Sequence, residues 1–253
     1  MESTPEILQL TSLVAEGIGI YLEKTSKIVI GKYESVVESR LILNLCLRHI
    51  ESINELAQKD LVYLPSAMVL SRSVFESALK VLWILHPSDI FECESRYVVR
   101  LKQYEDWLID QIKFLKTQNW NCDTYTKQKE DVCCFRLDLQ NLLIERGYKV
   151  LHSPNLRDIL KELNEDRKYL YYRLLSSYTH GGYCSTGIYR KDLGVCKKLG
   201  EFIDIKDWKL VYSVAWPVFE LATEFFIDRA TLSEVKNIYS DKFKKEIRDC
   251  LAM

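Results

Sequence analysis

Apolar residues recur at intervals of three and four along most of this 253-residue chain, the period of helices that bury one face. A first helix opens at Thr4-Pro5-Glu6, with Thr4 as N-cap and Pro5 pre-set for the first turn. It runs through Ile7, Leu10, Leu13, Val14 and Ile18, and Gly17 and Gly19 weaken it toward its end. A second helix spans Lys32 to Lys59, with Val36, Leu43, Leu47, Ile50 and Ile53 in its apolar majority and Glu38, Arg40, Arg48, Glu51 and Glu55 wet. Leu64-Pro65-Ser66 starts a third helix that ends at His86-Pro87, and Ser88 is placed to cap a fourth reaching about Gln118. A fifth runs from about Thr124 to Arg146, closed by Gly147 at the position after the C-cap.

A short sixth helix opens at Pro154-Asn155, and a seventh runs from about Arg167 to His180, stopping at Gly181-Gly182. Residues 183–205 lose the period and read as a long loop with at most one short helix, the kind of segment that often carries function. Trp208, Val211, Tyr212, Ala215, Phe219, Ala222, Phe225 and Phe226 then mark a well-defined amphipathic helix. Pro217 lies inside it and should kink it, because its ring crowds the carbonyl of Ser213. A last polar helix, Ser233 to Leu251, turns Val235, Ile238, Phe243 and Ile247 inward. The expectation is one all-α domain of eight or nine helices over residues 1–253, with no internal repeat and no linker.

Composition agrees with that class. Nine Gly and five Pro fall well below the ~12% that average usage would give, which disfavours sandwiches, barrels and propellers with their many tight turns. A hydrophobic share of 47% beside 28% charged residues excludes disorder. With 35 basic and 36 acidic side chains, any nucleic-acid contact must come from a local basic patch and not from overall charge. The longest apolar stretch, Leu64 to Leu85, is broken by Arg72, Glu76 and Lys80, so no membrane span is expected. The N-terminus lacks a secretory signal, and the eight cysteines include no C-x2-C pair, which fits reduced thiols in a cytoplasmic protein.

Several chemistries lack their motifs. Each histidine is preceded three positions earlier by a non-acidic residue (Cys46, Trp83, Lys149, Ser177), so the Glu-x-x-His source of di-iron ligands is missing. There is no H-E-x-x-H, no Walker loop, no dinucleotide glycine fingerprint and no G-x-S-x-G elbow. No metal or cofactor is therefore expected, and an enzyme built on this chain would work with side chains alone.

Two polar stripes stand out. Along Tyr172-Arg173-Leu174-Leu175-Ser176-Ser177-Tyr178-Thr179-His180, helical periodicity brings Arg173 and His180 within about 20° of each other, with Ser176 and Ser177 between them. An imidazole at a helix C-terminus can exchange a proton near neutrality, and an arginine fork can hold a phosphate. The bland alternative is a histidine that only caps terminal carbonyls beside a surface arginine. The second stripe is Arg72, Glu76 and Lys80, either a thin solvated strip or an internal ion pair facing a polar cavity, which Arg96 and Arg100 could join from the next helix.

Arg72-x3-Glu76, Arg96-Tyr97 and Tyr172-x3-Ser176-x3-His180 before a glycine pair resemble a bacterial family of all-helical proteins of unknown function, over roughly residues 40–185. The Arg173-x6-His180 spacing is also similar to the Arg-x4-6-His signature of the HEPN superfamily, although Leu174 stands where that signature usually carries a polar residue. That superfamily consists of helical, commonly dimeric domains, many of them metal-independent ribonucleases of toxin–antitoxin and antiviral systems. The resemblance implies a HEPN-like bundle and a homodimer acting on RNA. It makes His180 the general acid/base and Arg173 the phosphate-holding group, with Tyr172, Ser176, Ser177, Arg72, Glu76 and Arg96 in supporting positions. Two alternatives stand beside it: a non-catalytic module that binds a protein partner, such as an antitoxin, or a nucleotide-like ligand, and a metal-free enzyme for a small phosphorylated substrate.

Overall fold

A computed structural model describes residues 2–149, 151–192, 194, 197–231 and 238–252, without the side chains at positions 184 and 231. The chain is all-α. Its helices are α1 (Pro5–Ser26), α2 (Glu34–Lys59), α3 (Leu64–Leu85), α4 (Ile90–Thr117), α5 (Asp123–Glu145), α6 (Leu156–Glu162), α7 (Tyr169–Thr179), α8 (Ile205–Thr231) and α9 (Asp241–Ala252). The punctuation residues explain most boundaries. Thr4 Oγ1 accepts from the Ile7 amide at 3.4 Å, and Asn155 and Asp158 form a reciprocal capping box that starts the short α6. Gly147, at φ +86°, turns the chain away after α5.

Several boundaries differ from the sequence-based expectation. Asp89, not Ser88, caps α4, its carboxylate accepting from the Phe91 amide at 2.8 Å. Residues 166–168 form a 3-10 turn, so α7 begins at Tyr169. Within 183–205 the chain makes a 3-10 run over Tyr183–Tyr189 and a two-residue antiparallel pair, β1 (Arg190–Lys191) with β2 (Lys198–Leu199). The last helix starts at Asp241; the expected start at Ser233, with Val235, lies outside the described residues. Pro217 lies inside α8, as expected, and the helix runs through it as one element.

The core is organised around α3, which lies between α2 and α8 and also touches α4, α6 and α7. It buries thirteen of its residues, from Leu64 and Met68 through Phe75 and Leu79 to Leu85. Buried polar atoms tie the neighbours in register. Asn54 on α2 donates to the Thr11 carbonyl at 3.1 Å and accepts from the Tyr212 hydroxyl at 2.8 Å, linking α1, α2 and α8. Ser71 donates to the Val211 carbonyl at 3.0 Å, and the Trp208 indole to that of Leu61 at 2.9 Å. Among the described residues α8 alone is long and apolar enough to cross a bilayer, but 61% of that stretch is buried against the rest of the fold, as suits a core helix.

The hairpin of α4 and α5 departs from this pattern. The helix α5 buries only Leu143 and packs chiefly along α4. The hairpin is held by a buried ion pair, Arg136 Nε to Glu105 Oε2 at 2.8 Å. Burial alone would push the Glu105 carboxyl up, yet the hydrogen bond and charge of Arg136 hold it below the usual carboxylate range.

Trp216 on α8 packs against Phe219, Tyr239 and Phe243, and Gly17 of α1 is what admits it. A Cβ at Gly17 would lie 2.6 Å from Trp216 Cζ2 and 2.8 Å from Phe243 Cζ. Gly17→Ala should therefore lose about 1–3 kcal/mol to overpacking, despite a helix-propensity gain near 1 kcal/mol. Gly19→Ala, with nothing within 4 Å of its new Cβ, should keep that gain and stabilise. Urea denaturation of both variants checks the pair; equal shifts would mean that Gly17 is not a packing requirement.

Candidate functional site

Arg72, Glu76 and Lys80 fall one turn apart on α3, the one strip of that helix not committed to the core. The Arg72 side chain is only 14% exposed, and each of its three nitrogens has a partner. Its Nε donates to Glu76 Oε1 at 2.6 Å, its NH2 to the Tyr172 hydroxyl at 3.4 Å, and its NH1 lies 3.3 Å from His180 Nε2. The guanidinium also stands 5.1 Å from the centroid of the Tyr172 ring. The stripe on α3 is thus a largely buried pair facing a cavity, not a solvated strip.

The other half of this contact comes from α7. Tyr172 projects from its first turns, and His180 is the C-cap, its own amide donating to the Ser176 carbonyl at 3.1 Å. Gly181, at φ +62°, and Gly182, which leaves 3.1 Å between a Cβ built on it and Ser177 Cβ, then turn the chain sharply. His180 is exposed, so the imidazole meets Arg72 from the solvent side. Arginine has no acceptor, so the Arg72–His180 bond exists only with Nε2 unprotonated, which leaves the imidazole proton on Nδ1.

The remaining predicted residues lie apart from that set. Arg173 is exposed and takes no part in the network around Arg72. His180 leaves helical geometry at the cap, with φ −105° and ψ 11°, so the angular spacing from Arg173 no longer governs where its ring points. The hydroxyls of Ser176 and Ser177 donate backward, to the Tyr172 and Leu174 carbonyls at 2.7 Å each. Arg96 belongs to a neighbouring cluster. It donates to the Trp83 carbonyl at 2.6 Å, pairs with Glu162 and lies over the Trp83 ring, while the Trp83 indole donates to Glu162 at 3.1 Å. This cluster clamps α6 to α3 and α4.

Next to that clamp, with Trp83 in its lining, an open cavity of about 190 Å³ lies between α3, α4, α6 and α7. Arg72, Lys80 and Arg100 bring three cations to its wall against the one carboxylate of Glu76, while Leu156 and Ile159 supply an apolar side. Burial, and then the charge of Arg100, push the Lys80 ammonium below its usual range. Arg100 donates to Gln103 at 3.1 Å and pairs loosely with Glu38 at 3.6 Å, while its Nε is buried without a partner. Such a wall favours an anionic group. Lys80 and Arg100 were visible in sequence as extensions of the two charged spacings, but only the fold sets them on one cavity.

Among the described residues no group of three or more His, Cys, Asp or Glu side chains is placed to hold a metal ion, and the six described cysteines are free thiols.

The tautomer at His180 offers a direct check. Long-range 1H–15N spectra of the uncharged imidazole should show Nε2 unprotonated and Nδ1 carrying the proton. Arg72→Met should return the ring toward the mixture of an unconstrained histidine; an unchanged spectrum would mean that the bond to Arg72 does not form.

Neither the curated proteins nor the solved structures provide a match to this chain. A family model does match, over residues 39–192, and it contains the whole stretch of about 40–185 outlined by the motifs. Arg72, Glu76, Arg96, Tyr172, Ser176 and His180 all fall inside it. The chain belongs to DUF5677, a family of unknown function.

Proposed function

We propose that this protein is a metal-independent RNA endonuclease, with His180 and Arg72 at the reacting phosphodiester. The observation that carries the reading is the 3.3 Å contact between an exposed imidazole and a guanidinium on the rim of a cationic cavity. On arrival of RNA, Arg72 exchanges its bond to Nε2 for a non-bridging phosphate oxygen, which an arginine fork suits better. Nε2, freed with its lone pair, takes the proton of the 2′-hydroxyl as that oxygen attacks the adjacent phosphorus. The 2′-O–P bond forms, the P–O5′ bond breaks, and the departing 5′-oxygen is protonated from solvent, to which His180 is open. The products are a 2′,3′-cyclic phosphate and a 5′-hydroxyl. Glu76 holds Arg72 in place, and Arg173, exposed on the same helix, is left to contact the RNA backbone.

In this reading the protein acts in the cytoplasm as a homodimer within a defence or toxin–antitoxin setting, as the HEPN resemblance implies. A second reading, a non-catalytic module for a nucleotide-like ligand, is favoured by the closed set of contacts around Arg72, which would suit a permanent scaffold as well. Incubation of labelled single-stranded RNA with the protein in EDTA separates the two. Wild type should yield cyclic-phosphate ends, and His180→Ala and Arg72→Ala, with helical content confirmed by circular dichroism, should each lose at least about 100-fold. Equal cleavage by wild type and His180→Ala, or none by either, would remove the nuclease reading.

A further inference from the structure

The second, larger cavity lies between α4 and α5, about 750 Å³, and is lined by Tyr97, Tyr104, Trp107 and Phe135 together with Glu38 and Asp131. The rings of Tyr104 and Trp107 stack nearly parallel, 12° apart in plane with centroids 5.8 Å apart. Yet Trp107 is 48% and Phe135 43% exposed. A sparsely packed hairpin therefore keeps an open aromatic shelf that its own residues do not fill. Arg100 and Gln103 border this cavity and also the cationic one beside α3. The two cavities, one aromatic and one cationic, thus share a wall, in which Arg100 donates to Gln103 at 3.1 Å.

We propose that these two neighbouring cavities together bind a single nucleotide unit, with the base on the Tyr104–Trp107 shelf and the phosphate against Lys80 and Arg100. The charges orient it. Lys80 forms no ion pair within 4 Å among the described residues, and the buried Nε of Arg100 has no acceptor, so the cationic cavity has unused donors for a phosphate. Asp131 and Glu38, the latter already paired with Arg100 at 3.6 Å, keep a phosphate out of the aromatic cavity, and Asp131, exposed there, accepts from N–H groups on a base edge. Guanine presents two adjacent donors, N1–H and N2–H2, to the two oxygens of a carboxylate, whereas uracil presents one. A guanine nucleotide, free or within an RNA strand, is the occupant this arrangement fits. Base–aromatic stacking supplies affinity, and the carboxylates supply selectivity.

The proposal rests on the nuclease reading, which it deepens by naming a part of RNA the chain would hold, but it concerns binding alone and is tested without turnover. Guanosine monophosphate, uridine monophosphate, a guanine-containing 2′-deoxy dinucleotide and inorganic phosphate are titrated into the full chain by calorimetry. The guanine nucleotide should bind at least about tenfold more tightly than either the uridine nucleotide or phosphate. Trp107→Leu, at a half-exposed position, should remove most of that advantage and leave phosphate binding unchanged. Lys80→Gln should weaken nucleotide and phosphate alike, and Asp131→Asn should narrow the gap between guanine and uracil. A dinucleotide that binds more tightly than the mononucleotide would identify an RNA strand as the source, and the reverse a free nucleotide. Guanine binding no tighter than phosphate, or unaltered by Trp107→Leu, would overturn the site. Guanine binding without RNA cleavage would leave it standing and remove the nuclease reading instead.

Discussion

An arginine carries its charge wherever it is placed, and Arg72 is placed almost out of water, so each nitrogen of its planar fork needs an acceptor. Glu76 meets the first demand from within α3, because four residues along a helix bring two side chains onto the same face. The other two demands reach across the fold to Tyr172 and His180. The helix α7 buries only Leu175 completely and packs Tyr169, Tyr172 and Tyr178 partly against the core, and that polar meeting adds a second tie to α3. The same meeting fixes which nitrogen of His180 bears the proton and where the ring stands. One buried charge thereby holds a short helix, orients an imidazole and forms the rim of a cavity.

Helices were legible in the chain because burial imposes a period, and α3 shows why the signal was strong. With every face but one strip packed, its only charges recur every fourth residue. Caps were legible where one residue suits the role, as at Thr4 and Asn155, and ambiguous where two stand together. Ser88 and Asp89 can both accept from a first-turn amide, and in the fold it is Asp89 that does. The segment after Gly182 was opaque, because 3-10 runs and two-residue strands leave no period to detect.

The composition of the candidate site was legible, but its connections were not. The residues Tyr172, Ser176 and His180 announced themselves by spacing, and Arg72 and Glu76 by isolation within an apolar helix. Nothing local, however, reveals that Arg72 meets partners 100 and 108 positions away. Helical projection served Ser176 and Ser177 as far as the face they occupy, but not the backward bonds of their hydroxyls. It failed at His180, since a C-cap is where helical angles cease to apply. The aromatic shelf of the α4–α5 hairpin left no trace in periodicity, because its rings are exposed and belong to no buried stripe.

The partnership of α3 with α8 has a consequence for what counts as a unit of this protein. The stretch shared with the family stops at residue 192, before α8, which packs along α3 and buries Trp208, Tyr212, Phe219 and Phe226 in the core. The opening helix, α1, lies outside that stretch as well, yet it is wedged against α2, α8 and α9. Excised at the family's borders, the fragment would carry Arg72, Glu76, Lys80, Arg100, Tyr172 and His180 above a bare oily flank. Heredity and packing thus draw different borders on one polypeptide: the shared segment holds the polar network around Arg72, and the ends cover its apolar side.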